Sequence, residues 1–227
     1  MREIVLDTET TGLDPATGDR IVEIGAVELF NHVPTGKTYH QYINPERTMP
    51  AEAFAVHGLG DDFLRNKPKF AHIASDFLAF IETAPLVIHN ASFDLKFLNA
   101  ELTAAGHAQL PPGRATDTLL IARKKFPGSP ASLDALCRRF GIDNSAREKH
   151  GALLDSEILA EVYLELIGGR QPDFALASGS RSAQADRTDW RPSPRKPPLA
   201  ALLTSQEEAA HHAFITSLGD AALWRKI

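Results

Sequence analysis

Asp7 and Glu9 stand two residues apart at the end of the apolar run Arg2-Glu-Ile-Val-Leu-Asp7. On a strand, that spacing sends both carboxylates to the same side of the sheet. Two anions so close repel, and partial burial pushes a proton onto one of them unless a hard divalent cation such as Mg²⁺ or Mn²⁺ holds both ionised as oxygen ligands. A third acid, Asp94, follows the short apolar run Leu86-Val-Ile-His89 and is placed to open the next helix, where the N-terminal dipole favours a carboxylate. A fourth, Asp155, comes five residues after His150. Positions five apart point about 140° apart on a helix, so His150 belongs on the loop before the helix that carries Asp155. An acid fixed on a helix suits a metal ligand. A histidine on a loop, with an ordinary pKa of about 6.5, suits a general base that takes a proton from water at neutral pH.

The elements that must position these residues are legible around them. Residues 2–7, 21–30 and 37–43 read as strands able to pair as a meander. A helix at about 70–83, a buried strand at 86–89, a helix from Phe93 to about Ala105 and a strand or bend near 115–118 follow. Helices at about 118–125, 132–140 and 152–167 complete the series, with Ser132 as an N-cap and Gly141 as a C-terminal stop. Leu154, Ile158, Leu159, Val162 and Leu166 mark the buried stripe of the last helix. A meander followed by alternating helices and strands predicts an α/β domain, a mixed sheet covered on both faces, ending near Ile167. Cys137, the single cysteine, sits among Leu133, Leu136 and Phe140 at helical spacing and reads as a core thiol, not a nucleophile.

At 227 residues, 43% hydrophobic and 23% charged, the chain suffices for one well-packed domain and something smaller, and is not disordered as a whole. No apolar run approaches the roughly 20 residues that span a bilayer, and the N-terminus reads as an immediate strand and not as a leader, so a cytoplasmic protein is expected. A net charge of -5 excludes a strong nucleic-acid binder acting by itself, because Lys and Arg supply most non-specific affinity for phosphate. A chain with this charge that acts on nucleic acid must grip a short end through metal ions and be held near it by a partner.

Composition shifts after Gly168-Gly169. Residues 170–198 are rich in Pro, Ser, Ala, Asp and Arg and read as a flexible linker. Residues 199–227 regain Leu, Phe, Ile and Trp, with Ser205-Gln-Glu-Glu208 as a capping box opening a short helix through about Ser217. About thirty residues cannot bury a core alone, so this tail is expected to dock on something.

Taken together, D-x-E at Asp7 and Glu9, N-x-x-F-D at Asn90 to Asp94, and H-x-x-x-x-D at His150 to Asp155 resemble the three motifs of the DEDDh family of 3′→5′ exonucleases, on a ribonuclease-H-like fold. From Ile4 to Gly169 the chain is also similar to the proofreading epsilon subunits of bacterial DNA polymerase III, in IVLDTETTG, EIGAVE, AFAVHG, VIHNASFD, SLDALC and HGALLDSEILAEVYL. The resemblance implies an exonuclease domain over 1–169 and phosphodiester hydrolysis with two divalent ions, Mg²⁺ or Mn²⁺, giving nucleoside 5′-monophosphates. Asp7 would bridge both ions, Glu9, Asp94 and Asp155 would complete their shells, and His150 would be the base. Thr10, Thr11 and Gly12 form a turn that lets backbone approach a terminal nucleotide. By motif match, Asn90, Glu52 and His57 would line the site of that nucleotide, with Phe54 either stacking on it or packing in the core.

Beyond the domain, Gln171-Pro-Asp-Phe-Ala-Leu176 resembles a sliding-clamp-binding peptide anchored by Gln171, Phe174 and Leu176. The tail 199–227 is similar to the segment by which epsilon subunits attach to the polymerase (alpha) subunit, with Phe214, Leu218 and Trp224 as apolar anchors. The resemblance further admits a small stabilising subunit. The five motif residues do not separate sugars, so an exonuclease acting on RNA ends is the competing expectation. A tether joining polymerase to clamp, with the nuclease secondary, is another. The linker and tail favour the polymerase subunit.

Overall fold

The apolar run after Arg2 forms β1 (Arg2–Thr10), which pairs antiparallel with β2 (Ile21–Phe30), and β2 in turn with β3 (Val33–Tyr42). This is a computed structural model, and it describes residues 1–145, 149–168 and 203–219. β2 and β3 are joined through Asn31 and His32, both at positive φ (51° and 65°). Two successive left-handed residues give a turn whose twist matches that of the flanking strands. β4 (Leu86–Ile88) and β5 (Ala115–Asp117) add in parallel on the other side of β1, giving the order β3-β2-β1-β4-β5. The mixed α/β sheet predicted from the sequence is the one observed.

Among the described residues, seven α-helices accompany the sheet: α1 (Ala51–His57), α2 (Asp61–Leu64), α3 (Phe70–Ile81), α4 (Ala91–Ala104), α5 (Thr118–Lys125), α6 (Leu133–Phe140) and α7 (Ala152–Ile167). The period of two along β1 decides which face each helix covers. Ile4 and Leu6 enter a core with Phe70, Phe77, Phe97 and Leu98 of α3 and α4. Val5 enters a separate core with Leu159 and Tyr163 of α7. Each such large apolar side chain contributes on the order of 2–3 kcal/mol by leaving water. Ser132 caps α6 by accepting from the Ala135 N–H, and Gly141 ends the helix at φ 67°, as the sequence predicts. Cys137 is fully buried on that helix.

Two short helices, α1 and α2, escape the sequence reading, and β3 begins at Val33 instead of residue 37. A helix of seven or four residues is too short to repeat an apolar stripe. The first residues of β3 are exposed and so carry no alternation. α4 begins at Ala91, two residues before the expected start, and leaves Asp94 inside its first turn.

The chain divides into two compact units, Met1–Leu176 and Ala177–Ile227. In the second, α8 (Ser205–Ser217) is described. Its capping box is one residue earlier than expected: Thr204 accepts from the Glu207 N–H, and the Glu207 carboxylate accepts from the Thr204 N–H at 2.8 Å. Threonine caps a helix well, though less well than serine, and as the cap it leaves Ser205 to take helical dihedrals. Among the described residues no helix is long and apolar enough to cross a membrane. The linker residues 170–198 and the clamp-peptide anchors Gln171, Phe174 and Leu176 lie outside the described residues, as does Trp224.

β2 and the first turn of α7 pack with almost no space between them. A Cβ added to Gly25 would fall 2.1 Å from the Leu153 nitrogen and 2.2 Å from the Ala152 carbonyl carbon, so backbone lies directly on backbone. The buried Ser156 hydroxyl donates to the Gly25 carbonyl at 2.9 Å and fixes the contact. Gly25→Ala must push α7 off the sheet, and overpacking of this kind costs on the order of 2–3 kcal/mol. The expected outcome is a Tm lower by about 5–10 °C in thermal unfolding followed by circular dichroism. An unchanged Tm would show that the sheet and α7 are not locked here.

Candidate active site

β1 carries Asp7 and Glu9 on the α7 side of the sheet, the side to which Val5 points. Thr8 between them faces the other way, and its hydroxyl donates to the Asp94 carboxylate of α4 at 2.7 Å. Asp7 pairs in register with Gly25, where α7 lies closest to β2. That contact brings Asp155, on the first turn of α7, beside the two β1 acids. One cavity of about 470 Å³ is lined by Asp7, Glu9, Asp94, His150 and Asp155 together. The structure thus gathers from three separate elements all five residues that the sequence singled out.

Burial makes this gathering costly. Glu9, Asp94 and Asp155 are 9%, 3% and 3% exposed. Burial pushes the Asp94 carboxyl up to about 7, against the opposing donation from Thr8. A carboxyl held in that condition favours a proton or a cation over bare charge. Oxygen atoms of Glu9 and Asp155 and a ring nitrogen of His150 lie within 4.8 Å of one another, near enough to share an ion. Hard carboxylate oxygens grouped in this way fit a divalent metal of the Mg²⁺ or Mn²⁺ type.

His150 precedes α7 on a loop, as the spacing demanded, and is exposed. Its Nδ1 lies 3.4 Å from an Asp155 oxygen, and its backbone N–H donates to the Val56 carbonyl of α1 at 3.3 Å. Lys149, next to it, lies over the Phe54 ring at 5.3 Å and against Gly58. His150 is therefore tied to α1 through its backbone and lies against α7 through its ring.

A second cavity, about 330 Å³, shares Thr8, Glu9 and Phe93 with the first. Thr10, Thr11, Gly12, Glu52 and His57 line it, as the sequence reading expected, with Leu13, Ala53 and Val56 in addition. Its Thr11–Gly12 wall is braced from behind. The Thr11 hydroxyl donates to Asp19 at 3.2 Å, and Arg47 holds the same Asp19 at 2.7 Å. A Cβ on Gly12 would meet the Asp19 carboxylate at 2.3 Å, so only glycine fits. The Thr11 N–H donates to the Arg20 carbonyl, and Arg20 in turn grips the buried Glu101 of α4 through two bonds of 2.7 Å. Burial holds the His57 imidazole below its usual range, so it is neutral in this wall.

Phe54 and Asn90 are not among the residues lining either cavity. Phe54 is 45% exposed beneath Lys149, and Asn90 occupies the left-handed N-cap position of α4, its N–H donating to Asp117. The sequence reading missed Phe93, which lies in the wall common to both cavities, although it stands inside the motif ending at Asp94. It also missed His89, just after β4, and Leu119 and Arg123 of α5 in the first cavity; only the last two carried a signal, their i, i+4 spacing. On α8, the expected anchors Phe214 and Leu218 are 58% and 42% exposed.

Comparison with known proteins agrees with this geometry. Residues 4–163 match the exonuclease family. The chain is 50% identical to the DNA polymerase III subunit epsilon of Rickettsia felis, over 96% of this chain and 97% of that one. It is 44% identical to the Escherichia coli subunit of the same name, over 99% of this chain and 97% of that one. Among solved structures, the nuclease domain of 3′hExo, a DEDDh family member, bound to rAMP, shares the fold with a TM-score of 0.62 at 20% identity, over 73% of this chain and 91% of that one. Exonuclease X in complex with 5′ overhanging duplex DNA does so with a TM-score of 0.56 at 24% identity, over 73% and 90%. A sequence match that spans nearly the whole chain and an acid-lined cavity on this sheet lead to one assignment: the chain belongs to the DNA polymerase III epsilon subunits, within the exonuclease family.

Proposed function

We propose that this chain removes mispaired nucleotides from DNA 3′ ends as 5′-monophosphates, as the proofreading 3′→5′ exonuclease of a DNA polymerase III. The observation that carries the reading is the pair of adjoining cavities. One is lined by five carboxylates and two histidines, Asp7, Glu9, Asp94, Asp155 and His150 among them, and the other, large enough for a nucleoside, opens onto the same Glu9. A terminal nucleoside in the smaller cavity sets its 5′ phosphate at the shared border, among the acids. Relatives that align over nearly the whole chain, linker and tail included, favour this reading over an enzyme of RNA ends or a bare tether.

Two divalent cations, Mg²⁺ or Mn²⁺, supply the Lewis acidity that lowers the pKa of water and offsets charge on the phosphate. Asp7, Glu9, Asp94 and Asp155 would hold them. His150 takes the proton from the attacking water, whose oxygen bonds to phosphorus as the bond to the 3′ oxygen of the preceding nucleotide breaks. The 3′ oxygen leaves as an alkoxide and takes a proton from solvent, and His150 returns the one it took to solvent through its exposed edge. Thr10, Thr11, Gly12, Glu52 and His57 hold the departing nucleotide. Asn90 and Phe54 act from the rim, where substrate can reach them. Residues 1–169 form the nuclease, 170–198 the linker with a clamp-binding peptide at 171–176, and 199–227 the tail that docks on the polymerase alpha subunit.

Release of nucleotides from an end-labelled, 3′-mispaired primer tests the reading directly. Wild type is expected to shorten the primer stepwise with Mg²⁺ and not with chelator, and Asp7→Ala to be slower by about 10³-fold or more. Comparable release by Asp7→Ala would remove the assignment.

Asp94 gives a second test, independent of turnover. With its folded pKa raised to about 7 from the ordinary 3.8, the folded protein binds a proton more than the unfolded chain does between those values. Stability in chelator therefore falls as pH rises from about 4 to about 7 and is flat above. Asp94→Asn is expected to abolish that slope, raise Tm at pH 8 in chelator by about 5 °C, and remove the gain in Tm that Mg²⁺ gives wild type. A slope that persists in the variant would refute it.

For the partners, a chain truncated at about residue 190 is expected to lose co-purification with the polymerase subunit. Full-length chain carrying Gln171→Ala and Phe174→Ala is expected to lose binding to the sliding clamp. Undiminished binding in either case would remove that partner's site.

A further inference from the structure

The larger cavity extends beyond the acids, and its far wall is built from groups the reaction above does not use. Leu119 and Arg123 lie one turn apart on the same face of α5, and Leu133 comes from the first turn of α6. Leu119 and Leu133 are half-buried, and Arg123 is exposed. Among the described residues Arg123 is the sole Lys or Arg lining this cavity, against Asp7, Glu9, Asp94, Asp134 and Asp155. Asp134, also in the wall, accepts from the Asn144 side-chain amide at 3.0 Å.

If the exonuclease reading above holds, chain connectivity says what enters this wall. The departing nucleoside fills the smaller cavity, and the cleaved phosphate sits at the border marked by Thr8, Glu9 and Phe93. The strand left behind must then run through the larger cavity. Its penultimate sugar and base meet Leu119 and Leu133, and its next phosphate meets whatever lies one turn further along α5. The cations of the acid cluster offset the charge of the cleaved phosphate only. A second phosphate in a cavity lined by five carboxylates is repelled unless a fixed cation faces it, and a guanidinium does this with paired donors. We propose that Leu119, Leu133 and Arg123 form a subsite for the penultimate nucleotide, in which Arg123 binds the first phosphate 5′ of the cleaved one.

Neighbouring cations on α5 serve as contrasts. Lys125 is tied to the carbonyls of Glu165 and Leu166 at the end of α7, at 3.2 and 2.9 Å. Lys124 is exposed and does not line the cavity.

Three substrates separate the outcomes: a DNA oligonucleotide, the same oligonucleotide with a neutral methylphosphonate at the first linkage 5′ of the cleaved one, and the p-nitrophenyl ester of a nucleoside 5′-monophosphate, which has no such linkage. Arg123→Gln is expected to raise KM on the oligonucleotide about tenfold with kcat within about twofold, and to leave ester hydrolysis unchanged. The methylphosphonate is expected to cost wild type about tenfold in kcat/KM and to cost Arg123→Gln nothing further. Lys124→Gln is expected to leave all three unchanged. Equal losses on ester and oligonucleotide would overturn the subsite, as would an unchanged KM or a full methylphosphonate penalty in Arg123→Gln. Wild type inert on oligonucleotide and ester alike would instead overturn the exonuclease reading on which the subsite rests.

Discussion

Everything at the acid cluster depends on how closely α7 lies on β2. At Gly25 the two backbones meet with no room for a Cβ, and the buried Ser156 hydroxyl closes the contact through the Gly25 carbonyl. Because Gly25 is the register partner of Asp7, the same contact fixes the distance from the β1 acids to Asp155. Protein interiors are close-packed and transmit small displacements, so a side chain here would move a ligand and not merely a helix. The core beneath, with Val5, Leu159 and Tyr163, holds the helix against the sheet, and the glycine sets how far down it goes.

Close packing of acids opposes folding, and the molecule carries that cost where its chemistry needs it. Asp94 and Asp155 are nearly inaccessible, and Asp94 receives a hydroxyl donor from Thr8 without being brought back to an ordinary carboxyl. A site of this kind is poor as a bare structure and good as a cation holder, because a divalent ion is the charge that burial leaves missing. The contrast with Glu101 is instructive. That buried carboxylate is met by both arms of the Arg20 guanidinium, and so it serves as a brace instead of a ligand. Equally buried acids thus separate into two uses according to whether the fold itself supplies the opposite charge.

Much of this was legible because it rests on periodicities. The alternation along β1 says that Asp7 and Glu9 share a side, and the stripe from Leu154 to Leu166 gives α7 its observed bounds of 152–167. The 140° argument put His150 on a loop, where it lies. The illegible parts have equally definite causes. α1 and α2 are shorter than the period that would reveal them, yet α1 supplies Glu52, Ala53, Val56 and His57 to the smaller cavity. Glu52 and His57 were reached through family resemblance and not through pattern. Arg123 begins the run Arg-Lys-Lys at the end of α5, which as sequence reads as an ordinary solvated helix end; only the tertiary fold distinguishes the one that enters the cavity. Of the two expectations for Phe54, core packing is not what the fold gives: the ring lies under Lys149 at the surface.

The loop carrying His150 connects the two halves of the site. Its N-terminal side is tied to α1, through the His150 N–H to the Val56 carbonyl and through Lys149 against Phe54 and Gly58. Its C-terminal side is tied to α7, where the Asp155 N–H donates to the Gly151 carbonyl at 2.9 Å. Val56 also lines the cavity for the nucleoside, and Asp155 lines the cavity of acids. His150, set between α1, which lines the smaller cavity, and α7, which carries Asp155, takes its position from both, as the proposed role of a base requires. Geometry of this kind sets rate, since a displacement of about 1 Å in a reacting group costs on the order of 10²-fold. The exposed imidazole keeps access to solvent for its proton, while its backbone, and not its ring, carries the tie to α1.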